Sequence, residues 1–296
     1  VQLLVYILVY PILWVISVLP FRILYLFSDF LFIILYKIAG YRTKTVNENL
    51  RLVFPNKSEK EIREIRARFY HHLCDMIVEA IKSMTISPEE LKKRFKFKNI
   101  DLIKDLESKN RSIVLMVGHY GSWEWIFALQ LYVKYSGYAV YKRLRNRYFD
   151  RLVKRIRARH NSYLITTKET FSVIKRVEKD GELAIYGFAA DQSPRLRKGL
   201  YWNKFMGTEV PMHTGAEVLA KRYDLAVIFM HVNRLKRGFY ESEFQVITED
   251  PNSLADFSIT DKFFKLVEAE IYKNPAYYLW THKRWKHKDK NTETLN

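Results

Sequence analysis

The stretch Ile113-Val114-Leu115-Met116-Val117, followed by Gly118-His119-Tyr120-Gly121-Ser122-Trp123-Glu124, decides how the rest of the chain is read. Five consecutive apolar residues, rich in β-branched side chains, predict a strand buried on both faces. Gly121-Ser122 then supplies a turn and an N-cap, and Trp123 to Tyr135 carries the apolar content of a following helix. A His and a Glu five apart on one continuous helix would point about 140° away from each other. They can meet only if His119 lies in the strand-to-helix loop and Glu124 in the first helical turn. There the helix dipole favours the carboxylate, which can turn back toward the imidazole. Such a pair is a general base with an orienting acid, Glu124 fixing the tautomer and stabilising the imidazolium. The alternative reading stays open: His119 satisfies a loop carbonyl and Glu124 is a solvated first-turn acid.

Outward from this segment, short apolar runs alternate with helical patterns. Upstream, Ser58 and Glu61 form a capping-box pattern before a long amphipathic helix, and Ser87-Pro88-Glu89-Glu90 is a second helix start. Downstream, Ala139 to Tyr141, Tyr163 to Ile165, Leu183 to Tyr186, Leu225 to Val232 and Phe239 to Ile247 read as strands. Tyr148 to Arg159, Phe171 to Val177, Thr214 to Arg222 and Thr260 to Tyr272 read as helices. This alternation predicts an α/β fold, a mixed sheet covered by helices on both faces. Sites in open sheets collect beyond the carboxyl ends of strands, where His119 is predicted to fall.

Before Gly40 the composition differs. Val1 to Pro20 contains no charged residue and approaches the roughly 20 apolar residues that cross a bilayer core. It reads as an N-terminal membrane helix, and its opening on Val1 in place of Met is read as a start that lies upstream. Phe21 to Ile38, interrupted by Arg22, Asp29 and Lys37, reads as an interfacial or partly inserted helix. The rival is a buried hydrophobic hairpin. The expected organisation is therefore a membrane-anchoring or interfacial segment over 1–40 and an α/β domain over 41–296.

The chain has 296 residues, with 50 Lys and Arg against 32 Asp and Glu, a net charge of +18. Such an excess asks for an anionic partner, and a membrane segment makes an anionic bilayer the first choice. The single cysteine, Cys74, excludes an intrachain disulfide and a cysteine-based zinc site. Lys142 and Arg143, continuing through Arg157 and Arg159, concentrate charge on a loop and the helix after it. They suit either phosphates or lipid head groups. Asp191-Gln192-Ser193-Pro194 is a polar turn at another strand end, and Tyr278 to Lys286, which includes Arg284, interleaves aromatics with cations. Nucleic acid has only charge to support it, with no finger, RNA-binding signature or helix-turn-helix. There is no nucleophile elbow, phosphate-binding glycine loop or metal-ligand spacing, so no metal and no bound cofactor are expected. His119 is then best suited to activating a substrate hydroxyl.

At these residues the chain resembles a known family. His119-Tyr120-Gly121-Ser122-Trp123-Glu124 is similar to the HX4E form of the HX4D/E signature of membrane acyltransferases. Asp191-Gln192-Ser193-Pro194, Phe205-Met206-Gly207 and the helix with Gly215-Ala216 and Leu219-Ala220 resemble the central blocks of the lipid A biosynthesis (lauroyl/myristoyl) acyltransferases. Tyr278 to Lys286 resembles their terminal block, and Asn49-Leu50 with Phe54-Pro55 the N-terminal one. The resemblance implies a fold of the glycerol-3-phosphate acyltransferase type on the cytoplasmic face of the inner membrane. It implies transfer of a fatty acyl chain from acyl carrier protein or coenzyme A, as co-substrate, to a hydroxyl of a lipid A-type acceptor. His119 would be the base and Glu124 its acid. Lys142, Arg143, Arg157, Arg159, Asp191, Gln192 and Arg284 would shape the substrate site. A different glycolipid or aminolipid acceptor is the nearest alternative; an inactive lipid-binding protein or a basic nucleic-acid binder is the alternative from another class.

Overall fold

The structure, a computed structural model, describes residues 1–290, so the last six residues of the predicted 41–296 domain lie outside the described residues. The elements run α1 (Gln2–Val18), α2 (Phe21–Phe32, continued by a π-helical turn Ile33–Ile38), α3 (Thr43–Val53), α4 (Glu59–Lys82), α5 (Pro88–Arg94), β1 (Phe95–Phe97), α6 (Ile100–Ser108) and β2 (Ile113–Val117). A 3₁₀ segment, Trp123–Leu131, leads to β3 (Ser136–Tyr141), α7 (Arg147–Ala158), β4 (Ser162–Thr166), α8 (Thr170–Lys179) and β5 (Ala184–Ala189). The hairpin β6 (Trp202–Phe205) and β7 (Thr208–Pro211) stands apart, before α9 (Gly215–Tyr223), β8 (Ala226–Lys236), β9 (Phe239–Thr248) and α10 (Ser258–Lys273).

The predicted mixed sheet is present as seven strands in the order β1-β9-β8-β2-β5-β3-β4. Strands β8, β2, β5, β3 and β4 are parallel, while β9 runs antiparallel to β8 and carries β1 at the edge. All five residues of β2 are buried because it sits between β5 and β8 with a core on each face. Val114 and Met116 join the cluster containing Phe229 and Phe263; Ile113, Leu115 and Val117 join the one containing Trp125 and Phe244. Each such side chain contributes about 1.5–3 kcal/mol by leaving water.

Helix starts follow the predicted chemistry. Ser58 accepts from Glu61 N while the Glu61 carboxylate reaches Ser58 N, a complete capping box, and Ser87 caps α5. One expectation changes, and a second is met only in part. The predicted helix from Trp123 to Tyr135 is a 3₁₀ segment that stops at Leu131, in which Trp125 and Ala128, three apart, are both buried. The predicted membrane helix is α1, of 17 residues, and among the described residues no single helix is long and apolar enough to cross a membrane. One stripe of α1, at Tyr6, Tyr10, Leu13 and Ser17, turns away from solvent, and Lys82 Nζ donates to the carbonyls of Ser17 and Leu19 at its end. Phe21–Ile38 with Thr43–Val53, bent by 84°, passes the same length and composition test only as a pair. The polar face of α2 is held by protein: Ser28 donates to Asp75, and Arg237 bridges Asp29 and Asp75 at 2.6 and 2.7 Å.

Gly121 is the one glycine the site depends on. Its φ is +61°, and an added Cβ would lie 2.9 Å from Val232 Cγ1 and 3.1 Å from the Val232 carbonyl on β8. Gly121→Ala is therefore expected to cost about 1–3 kcal/mol from backbone strain alone. Chemical denaturation against the parent checks this, and an unchanged midpoint would contradict it.

Candidate functional site

Strands β2 and β5 are parallel neighbours in a register that pairs Val117 with Ala189. Two residues further along each strand come His119 and Asp191, so the register alone brings them side by side. His119 Nδ1 donates to Asp191 Oδ1 at 2.6 Å, with the carboxylate 1 % and the imidazole 17 % exposed. Burial alone would lower the His119 pKa, but the charge and hydrogen bond of Asp191, then the charge of Glu124, outweigh it and hold it above 6.5. Burial would raise that of Asp191; His119 outweighs it and holds the carboxyl below its usual range. With its proton on Nδ1, His119 turns an Nε2 lone pair outward, and the Gln192 amide Nε2 lies 3.0 Å from it. Trp123 meets the ring edge-on at 5.4 Å.

The loop around His119 is held by a segment more than 150 residues away. Tyr120 and Tyr278 form an antiparallel bridge, Leu279 N donates to the His119 carbonyl and Gly121 N donates to that of Tyr277, both at 3.1 Å. That segment is clamped in turn by Asn49, whose amide donates to the carbonyls of Trp280 and His282 at 2.8 and 2.9 Å, and by Arg42, bonded to the Thr281 carbonyl. Burial lowers His282 to about 4, so its ring is neutral and Nε2 accepts the Ser193 N–H at 3.1 Å. Four segments that are scattered in sequence thus converge on one imidazole. A further buried imidazole, His72, contacts the Gly121 carbonyl at 3.3 Å through Nε2 and Arg234 through Nδ1.

The model of a family described as bacterial lipid A biosynthesis acyltransferase matches residues 1–287. The chain belongs to that family. Similar relatives are the lipid A biosynthesis lauroyltransferase of Escherichia coli K12, 25 % identical over 93 % of this chain and 89 % of its own length, and the lipid A biosynthesis palmitoleoyltransferase of the same organism, 26 % identical over 83 % and 79 %. The lipid A biosynthesis acyltransferase of Haemophilus influenzae is 25 % identical over 88 % and 82 %.

In this lipid A family acyltransferase the predicted site residues fall into three groups. His119, Asp191 and Gln192 are joined directly. Glu124, expected on His119, instead receives Arg157 at 2.6 Å, and that guanidinium also lies over the Phe127 ring at 4.7 Å. The 3₁₀ winding after Ser122 aims the Glu124 carboxylate toward α7, and its charge still reaches His119. Glu124, Arg157 and Lys142 line a cavity of about 380 Å³ together with Ile86, Leu91 and Val153.

The remaining three are not brought to His119. Arg143 is mostly exposed, 3.8 Å from Asp150. Arg159 donates to the Met84 and Ser83 carbonyls beyond the end of α4, which ties α7 to that helix. Arg284 is fully buried, over the rings of Phe205 and Phe264 at 5.2 and 5.4 Å; burial pushes it down to about 10. The Gly121 N–H, at the turn beside His119, donates to the Tyr277 carbonyl and is not free to receive an oxyanion. Asn49 acts through its amide and His282 through its ring on backbone atoms of the loops, Tyr278 through its backbone bridge to Tyr120; the Asn49 segment stood out only through the family resemblance.

Proposed function

We propose that this protein transfers a fatty acyl chain from a thioester, on acyl carrier protein or coenzyme A, to a hydroxyl of a lipid A-type acceptor, with His119 as general base. The observation that carries the reading is the 2.6 Å contact of His119 Nδ1 with a buried carboxylate, which leaves Nε2 as the basic atom. The acceptor hydroxyl displaces the Gln192 amide and gives its proton to Nε2 as its oxygen attacks the thioester carbonyl carbon. The carbon–sulfur bond then breaks, and the imidazolium returns the proton to the leaving thiolate. Asp191 stabilises the imidazolium between the two steps. No metal or organic cofactor enters any step. Lys142 and Arg157, beside the cavity, are suited to an anionic acceptor group or to the oxyanion, and the apolar cavity wall suits the acyl chain. Glu124 contributes through its charge and by holding Arg157.

The membrane belongs to the same reading. Leu4, Leu8, Ile12 and Val15 of α1 and Leu26 and Phe30 of α2 are exposed by 54–68 %. Basic α7 lies beside α1, Tyr6 meeting Tyr148 at 5.7 Å. Exposed apolar side chains next to cations suit an anionic bilayer surface, here the cytoplasmic face of the inner membrane.

Purified protein is mixed with an acyl thioester and an under-acylated lipid A precursor, and the lipid is read by mass spectrometry. One added acyl mass is expected; no acylated lipid with either donor overturns the reading. Because Asp191 and Glu124 hold His119 above the ordinary imidazole value, its protonated, inactive form persists to higher pH than that of a free imidazole. The plot of kcat/KM against pH should rise through a midpoint above that of a free imidazole, and a midpoint below it would contradict the ion-paired base.

A further inference from the structure

Directly after Asp191-Gln192 the chain runs into Ser193-Pro194-Arg195-Leu196-Arg197-Lys198, and in the C-terminal segment Lys286, Lys288 and Lys290 follow His282. The two segments are tied together: Ser193 N donates to His282 Nε2 at 3.1 Å. Arg195, Arg197, Lys198, Lys286, Lys288 and Lys290 are all exposed, with Asp289 the one acid among the described residues of these stretches. Like charges gathered in this way repel one another, so the folded state alone gives no reason to collect them.

This surface differs in kind from the one beside α1. There cations accompany exposed leucines and isoleucines, as a lipid surface requires. Within Arg195 to Lys198 and Lys286 to Lys290, all among the described residues, no large apolar side chain is exposed. A purely cationic surface lacks what inserts into a bilayer and matches the acidic face of a soluble protein, where complementary charge sets the encounter rate. Its position also matters, because the loop that supplies Asp191 and Gln192 to His119 continues into it.

We propose that the Arg195–Lys198 loop with Lys286, Lys288 and Lys290 docks an acidic protein that carries the acyl thioester, so that donor and membrane-borne acceptor reach His119 from different faces. This rests on the acyl-transfer reading above. The test uses the full-length protein, a carrier-bound and a coenzyme A-bound thioester of the same acyl chain, and the triple variant R195E/R197E/K198E. The variant should raise KM for the carrier donor by about tenfold or more, with kcat, KM for the coenzyme A donor and binding to anionic vesicles unchanged. In the parent, added salt should raise KM for the carrier donor more steeply than for coenzyme A, a measurement that needs no variant. An unchanged carrier KM together with a flat salt response overturns the proposal, as does transfer from coenzyme A alone. Loss of vesicle binding in the variant also overturns it, by making this a lipid surface. No transfer by the parent from either donor instead removes the acyl-transfer reading beneath it.

Discussion

Replacing His119 by Asn is expected to lower kcat for acyl transfer by about 10²- to 10⁴-fold, the usual contribution of a positioned general base. Asn is the informative substitution because its amide can still donate to Asp191 from near the place of Nδ1, while nothing replaces Nε2. His119→Ala would lose the same activity but would also leave a 1 % exposed carboxylate without the partner it has at 2.6 Å. Stranding a buried charge costs several kcal/mol, so its activity loss mixes chemistry with unfolding. For His119→Asn, KM for both substrates should stay within a few-fold of the parent, since Lys142, Arg157 and the cavity wall are untouched. Steady-state kinetics beside a thermal melt decide the matter. A folded His119→Asn protein with near-parental kcat would show that His119 takes no proton.

Much of this site was legible because β2 is a simple object. An unbroken run such as Ile113 to Val117 has few structures open to it beyond a central strand, and a central parallel strand delivers the residue after it to the sheet edge where ligands bind. The partner of His119 was not legible in the same way. Asp191 is 72 residues away, and which strand lies beside β2 is decided by crossover connections that local pattern does not encode. The nearby Glu124 was the obvious choice because spacing is visible and register is not. The 3₁₀ winding of Trp123–Leu131 then sends that carboxylate to Arg157, and no periodicity in nine largely apolar residues announces it. Similarly, the charge-free run Val1 to Pro20 has the composition of a membrane span. What composition does not show is that one stripe of α1 rests on the protein and that Lys82 ties down its end. Asn49 was visible only as part of a family block; its work is done on carbonyls 231 and 233 residues away.

The competition between the two carboxylates gives the second large effect, and the pH profile separates them. Asp191 is the leading influence raising His119, through charge and a direct hydrogen bond, whereas Glu124 acts through charge alone while paired with Arg157. Asp191→Asn removes the carboxylate charge and allows the amide to donate to Nδ1. That would move the imidazole proton to Nε2 and occlude the basic atom. The expected loss in kcat is again about 10²- to 10⁴-fold. The sign of the accompanying shift follows from the ion pair. Without the negative charge the imidazolium is less stable, His119 titrates lower, and the acidic limb of residual kcat/KM moves to lower pH. Glu124→Gln should move that limb in the same direction by less, because Arg157 already offsets its charge, and should weigh more on KM through the freed guanidinium. If Glu124→Gln displaced the limb further than Asp191→Asn, the acid that orients His119 during turnover would be Glu124, and the His119–Asp191 contact would belong to the resting enzyme only.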